Sequence, residues 1–257
     1  MPETTAGAIA GATTGAEAGQ DLIRLVCLPF GGSGTSFFRP WDELTGGRFE
    51  VLPLRLPGRE HLIDVEPYRD VHRATDGLLA DLLEELGGPA RVVLFGHSVG
   101  AVLAYELAQR LRAVPQVEVL RLIVSGSPEP GTQRTLRATG LPDDAFLDRV
   151  GEIAGYSHDA MAVPELRELL LPTLRADVEM HEAYRPSTLD PLPVPITALR
   201  GTEDQLVPRA QAAAWREVTA AGFDLHEPAG GHMYLVDGAA SLVSLIDKVV
   251  HGSSAPK

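Results

Sequence analysis

The stretch from Arg91 to Gln109, RVVLFGHSVGAVLAYELAQ, constrains the chain most. An apolar run, Val92 to Phe95, meets Gly96-His97-Ser98-Val99-Gly100, and a helical pattern follows directly. Strand, sharp turn and helix are the context that gives G-x-S-x-G chemical meaning. Gly96 and Gly100 lack Cβ atoms, so strand and helix can approach closely around a strained residue 98. The turn lifts the Ser98 hydroxyl above the sheet and aims it at a helix N-terminus, where backbone N–H groups are unpaired. A serine in an ordinary glycine turn is the competing reading.

The surrounding chain alternates short apolar strands with helices. Strands are expected at Leu22–Leu28, Phe49–Leu54, Val119–Val124, Val194–Leu199 and Phe223–Glu227. Helices are expected at Phe37–Leu44, Pro67–Leu86, Arg209–Val218 and Ser241–Val250, beside the one that follows Ser98. Between about 129 and 192 the alternation breaks. Helical patterns at Asp143–Val150 and Pro164–Tyr184 replace strands there, an insertion that reads as a lid over the strands' carboxyl ends. A helical subdomain with packing duties only is the alternative. The expected architecture is α/β, a mostly parallel central sheet flanked by helices, with one domain over 21–251. Residues 1–20, rich in Ala, Gly and Thr, are expected to be a disordered tail, and 252–257 a C-terminal tail.

A serine hydroxyl needs a base, and the base an orienting acid. Of eight histidines, His232 alone sits in a Gly-Gly-His loop just beyond a late strand. His97 is expected to be a packing residue, and His158 and His181 fall in the insertion. Asp204 follows a strand through a Gly-containing turn, with Glu203 its rival and Asp224 and Asp237 more distant candidates. An Asx turn or helix cap is the bland reading of Asp204. Backbone N–H groups of Val99 and Phe30, with Gly31 second, are the candidate donors to an oxyanion.

The formal net charge of −13 argues against nucleic acid or an anionic membrane as partner. No apolar run reaches the length of a membrane span. Cys27 is the single cysteine, so neither an intrachain disulfide nor a Cys-based metal cluster is available. No H-E-x-x-H pattern is present, and no metal and no cofactor are expected. The absence of a signal-peptide pattern points to a cytoplasmic protein, expected as a monomer.

Six segments in this order, CLPFGGSG, LRLPGRE, LFGHSVGAVLAYELA, LPTLRADVEMHEAY, LRGTEDQLVP and GGHMYL, resemble the type II thioesterases of polyketide and nonribosomal peptide assembly lines. The resemblance runs from about Leu22 to Val250. The triad motifs by themselves indicate only an α/β-hydrolase; the L-P-G-R loop and the L-R-A-D helix are more specific. The resemblance implies Ser98 as nucleophile, Asp204 as acid and His232 as base. It implies hydrolysis of acyl groups from the phosphopantetheine arm of an acyl or peptidyl carrier protein, clearing stalled chains or releasing a product. Val99 stands where the family often has methionine. Gly31, Gly32, Leu166 and Leu170 are candidate substrate contacts, with Leu169 and Leu174 on the same lid helix. Because such carriers are acidic, as this chain is, Arg55, Arg59, Arg134 and Arg137 are candidate docking residues. A carboxylesterase, an acyltransferase and a non-catalytic binding protein of the same fold are the alternatives.

Overall fold

The computed structural model describes residues 22–154 and 159–252. The expected tail at 1–20, all of the expected tail at 252–257 except Gly252, and His158 lie outside the described residues. Six strands, β1 (Ile23–Leu28), β2 (Phe49–Pro53), β3 (Ala90–His97), β4 (Val117–Ser125), β5 (Ile196–Leu199) and β6 (Phe223–His226), form one sheet in the order β2-β1-β3-β4-β5-β6. Every neighbouring pair runs parallel. Parallel strands need crossover helices, which cover both faces, and this explains why the strands read as continuous apolar runs.

The helices are α1 (Trp41–Leu44), α2 (Val71–Leu86), α3 (Val99–Leu111), α4 (Asp143–Ala154), α5 (Pro164–Ala183), α6 (Arg209–Ala213) and α7 (Ala239–His251). On one face α2 and α3 pack Leu78, Leu82 and Leu103 against Val26, Leu94 and Val124. On the other, α1 and α7 pack Trp41, Leu242 and Ile246 against Cys27, Phe95 and Ile123. Asp70 caps α2 by accepting from the Arg73 N–H at 2.9 Å, and Gly87, at φ 62°, ends it. The helix expected over Phe37–Leu44 is split. A 3₁₀ turn, Thr35–Phe38, precedes Pro40, whose missing N–H breaks the ladder before α1. The helix expected over Arg209–Val218 tightens from α6 into a 3₁₀ turn at Ala214.

The insertion carries α4 and α5 and a small core of its own, with Phe146, Leu171 and Leu174 buried together. Arg175 lies over the Phe146 ring at 4.2 Å. No helix among the described residues is long and apolar enough to cross a membrane.

Candidate active site

The sheet order reverses at β1, and β1 and β3 there carry neighbouring loops at their carboxyl ends, the switch point where α/β sheets place ligands. His97, Ser125, Leu199 and His226 lie in one row across β3 to β6. Ser98, Asp204 and His232 all come from loops just beyond that row.

Ser98 has φ 54° and ψ −119°, a conformation that an L-residue rarely adopts. Its N–H donates to the Ser125 carbonyl at 2.8 Å, which holds the turn against β4. A Cβ on Gly96 would collide with the Gly100 carbonyl, and one on Gly100 would lie 2.6 Å from the Leu28 oxygen. The two glycines therefore let β3, α3 and the loop after β1 converge. That convergence sets Val99, at the first turn of α3, beside Phe30, and both line the cavity above Ser98.

His232 is buried, and its Nδ1 lies 2.9 Å from Asp204 Oδ2. The other Asp204 oxygen accepts from the N–H groups of Leu206 and Val207 at 2.8 and 3.0 Å. Burial pushes the Asp204 carboxyl up, but the His232 hydrogen bond and charge and the two backbone donors outweigh it, leaving its pKa below the ordinary value. The carboxylate is thus anchored at one oxygen and presents the other to the imidazole. Glu203, the rival acid, is exposed.

Behind His232 lies a buried chain that the sequence did not reveal. His97 packs on His232 with ring centroids 4.8 Å apart. Its Nδ1 contacts Ser125 Oγ at 2.9 Å, and that hydroxyl contacts the Tyr234 hydroxyl at 2.7 Å. Burial, then the charges of His232 and Arg134, push the His97 pKa well below the ordinary value, so this ring is neutral.

A cavity of about 590 Å³ opens over Ser98 and His232. Its apolar wall includes Leu147, Val150, Leu170, Leu174 and Val178. Leu170 and Leu174 sit on the inward face of α5 with Asp177, Val178 and His181. Leu166, one turn nearer the N-terminus, is 42% exposed and is not a chamber residue, and Leu169 points outward at 50% exposure. Along α5 the chamber lining starts at Leu170, six residues into the helix from Pro164. Gly31 and Gly32 line the cavity, but the Gly32 N–H is already committed to Asp177 Oδ2 at 2.8 Å.

Of the four arginines expected to face a carrier, two do not. Arg59 is 6% exposed. Its guanidinium pairs with both Asp177 oxygens at 3.0 and 2.8 Å and donates to the Ser33 carbonyl at 2.7 Å. Arg59 belongs to the L-P-G-R loop and Asp177 to the L-R-A-D helix, so these two motifs meet in one buried ion pair. The Thr173 hydroxyl adds a hydrogen bond to the Gly58 carbonyl in the same seam. Arg134 also turns inward. It lines the cavity, and its Nη2 is 3.4 Å from Ser98 Oγ. Arg55 and Arg137 stay on the surface, 3.5 Å from Glu85 and Glu182 respectively.

Residues 23–250 match the family model described as "Thioesterase domain". The chain belongs to the thioesterase family. It is 34% identical over 217 residues to thioesterase PikA5 of Streptomyces venezuelae, covering 84% of this chain and 76% of that one. Among solved structures, RedJ, the thioesterase of the prodiginine pathway in Streptomyces coelicolor, superposes with a TM-score of 0.81 at 30% identity. That match covers 93% of this chain and 95% of RedJ. BorB, a type II thioesterase from the borrelidin biosynthetic cluster, gives 0.79 at 31% identity, covering 90% and 93%. The protein is therefore a hydrolase of thioesters on an α/β-hydrolase-type fold. Among the described residues no group of three or more His, Cys, Asp or Glu side chains could hold a metal ion.

Proposed function

We propose that this thioesterase frees acyl groups from the phosphopantetheine thiol of acyl or peptidyl carrier proteins, through a covalent intermediate on Ser98. The observation that carries the reading is the shared chamber. Ser98, held at a strained elbow, and His232, bonded to an anchored Asp204, face the same largely apolar cavity. A binding module has no use for that arrangement, whereas acyl transfer needs every part of it.

In the proposed mechanism Ser98 Oγ attacks the thioester carbonyl and His232 takes its proton. Asp204 holds the imidazole in one tautomer and stabilises the imidazolium. The tetrahedral oxyanion rests on the N–H groups of Val99 and Phe30, an interaction whose loss costs about 3–4 kcal/mol in other hydrolases. The thiol leaves with the proton from His232. Water, deprotonated by His232, then attacks the ester carbonyl; the bond from the acyl carbon to Ser98 Oγ breaks, His232 returns the proton to Oγ, and the carboxylic acid departs. A thiolate is a good leaving group, so the acid step is less demanding than for an amide. We assign acidic carrier proteins of polyketide or nonribosomal peptide assembly as partners. Arg55 and Arg137 are the surface cations of the original four that remain able to meet them.

The test compares carrier-bound butanoyl thioester with the p-nitrophenyl ester of the same acid. The proposal expects a higher kcat/KM for the carrier-bound thioester. Equal or better turnover of the oxygen ester points to the carboxylesterase reading instead. Product analysis with and without an added amine or alcohol separates hydrolysis from acyl transfer.

A further inference from the structure

Asp204 and His232 come from two different loops, one after β5 and one after β6, yet their side chains meet at 2.9 Å. Backbone contacts join the loops near their starts. The Thr202 N–H donates to the Pro228 carbonyl at 2.8 Å, and the Glu203 N–H to the Gly230 carbonyl at 2.9 Å. A Cβ on Gly201 would collide with the Gly231 carbonyl, so glycine is what allows the approach. Neither contact reaches the turn at 204–207, which aims the carboxylate.

Arg200 reaches it. This residue directly follows β5, is 8% exposed, and has a partner for each guanidinium nitrogen. Nε donates to the Val207 carbonyl and Nη2 to the Asp204 carbonyl, both at 2.9 Å. Nη1 donates to Glu227 Oε1 at 2.7 Å. Glu227 directly follows β6 and opens the loop that leads to His232. Its other oxygen accepts from Arg209 Nε at 2.8 Å.

The contacts form a connected path. Arg200 holds the carbonyls at both ends of the turn from outside. Inside the turn, the N–H groups of Leu206 and Val207 hold Asp204 Oδ1, which leaves Oδ2 for His232 Nδ1. A guanidinium is planar and its donors keep fixed angles, so one fork sets two carbonyls and a carboxylate in a defined relation. The contacts of Arg59 tie the chamber wall and include no member of the triad. The contacts of Arg200 include Asp204 itself.

We propose that Arg200, paired with Glu227, is a positioning residue for acyl transfer, holding the Asp204 turn and the His232 loop in the register that lets the carboxylate orient the imidazole. The inference rests on the Ser98 mechanism proposed above and adds a residue outside the triad to it. A small misplacement of a group near the chemistry acts on the rate of reaction more than on substrate binding. Arg200 is therefore expected to show itself in kcat and not in KM.

Hydrolysis of butanoyl-pantetheine by wild type, Arg200→Met, Arg200→Lys and Glu227→Ala tests this, with each variant assayed below its own unfolding transition. Arg200→Met is expected to lose about tenfold to a hundredfold in kcat, with KM within about twofold of the wild type. The acid limb of its kcat/KM profile moves to lower pH by about one unit, because a carboxylate beside an imidazole favours the protonated ring and that influence weakens. The other titratable groups around the imidazole, His97 on β3, Arg134 on the segment after β4 and His181 on α5, stay in place. Arg200→Lys, which keeps the charge and loses the fork, recovers part of kcat. Glu227→Ala, at a partly exposed site, loses about threefold or more in kcat, and it carries the test if Arg200→Met does not fold. A folded Arg200→Met that is less stable but keeps the wild-type kcat and acid limb overturns the inference, because a cation serving only the fold moves neither. So does Glu227→Ala with the wild-type kcat. Those results leave the thioesterase reading standing. A wild type that does not hydrolyse the thioester overturns both.

Discussion

Arg59 and Arg134 border the same chamber and both come from irregular segments, yet one is saturated and the other is not. Arg59 has both Asp177 oxygens and a backbone carbonyl within hydrogen-bond range, and its partner also receives the Gly32 N–H. Arg134 has a weak contact to Ser98 and a buried nitrogen with no partner. A saturated buried pair joins pieces of the fold, here the loop after β2, the loop after β1 and the insertion helix α5. Arg134, half-buried, joins no such pieces; its one side-chain partner among the described residues is the Ser98 hydroxyl. The same residue type thus clamps the fold in one place and stands beside the Ser98 hydroxyl in the other, and the distinction lies in the hydrogen-bond partners.

This contrast can be broken most forcefully at the clamp. Asp177→Ala strands Arg59 in the interior and is expected to lower stability by about 3–5 kcal/mol, as loss of one partner of a buried pair does. Chemical denaturation measures it. Replacing the pair together, Arg59→Met with Asp177→Leu, is expected to recover most of that loss, since neither charge is then left unpaired. A double variant as unstable as the single one would mean that the loop needs the Ser33 and Gly32 contacts themselves.

At the other arginine the expected effect on folding is small and of the opposite sense. Arg134→Met removes a half-buried charge that has no carboxylate partner among the described residues, so stability is expected to stay within about 1 kcal/mol of the wild type or to rise. A drop comparable to that of Asp177→Ala would make Arg134 a second clamp.

The smallest effect belongs to Glu60, next to Arg59. Its carboxylate accepts from the Thr35 and Ser36 N–H groups and the Thr35 hydroxyl at 2.6 to 3.1 Å. Burial pushes its pKa up, but these hydrogen bonds win and lower it to about 2 from an ordinary 4.5. A carboxyl with a depressed folded-state pKa favours the folded state fully above its unfolded value, and that contribution fades as pH falls from 4.5 towards 2. Glu60→Gln should therefore flatten the acid-unfolding profile within that window and leave its slope near pH 7 unchanged. Because the group is largely exposed, solvent screening keeps the difference small.

Much of this was legible in the chain. The strands announce themselves as apolar runs because a parallel sheet is covered on both faces. Ser98 carries its own signature, since glycines at 96 and 100 are demanded by the backbone contacts they make. Asp204 and His232 were found from loop chemistry beyond late strands, and the structure brings them to 2.9 Å. What the chain concealed was pairing across long separations. Nothing local tells Arg59 that its partner lies 118 residues away, so an arginine in a loop reads as a surface charge. The same default misplaced Arg134. Leu166 was misread for a different reason: helical spacing defines a face but not where the cavity beneath that face stops. Asp177 left one trace, an acid at helical spacing from Leu174 on the cavity side of α5. The His97, Ser125 and Tyr234 chain left none, because it is assembled by strand register.

The central claim is that acyl release passes through Ser98. A carrier protein loaded with acetyl and longer acyl groups, followed by intact-protein mass spectrometry with wild type and Ser98→Ala, tests it directly. The account predicts that the wild type strips the acyl mass from the carrier, while Ser98→Ala slows release by at least about a thousandfold. Release by Ser98→Ala at a near-normal rate would contradict it.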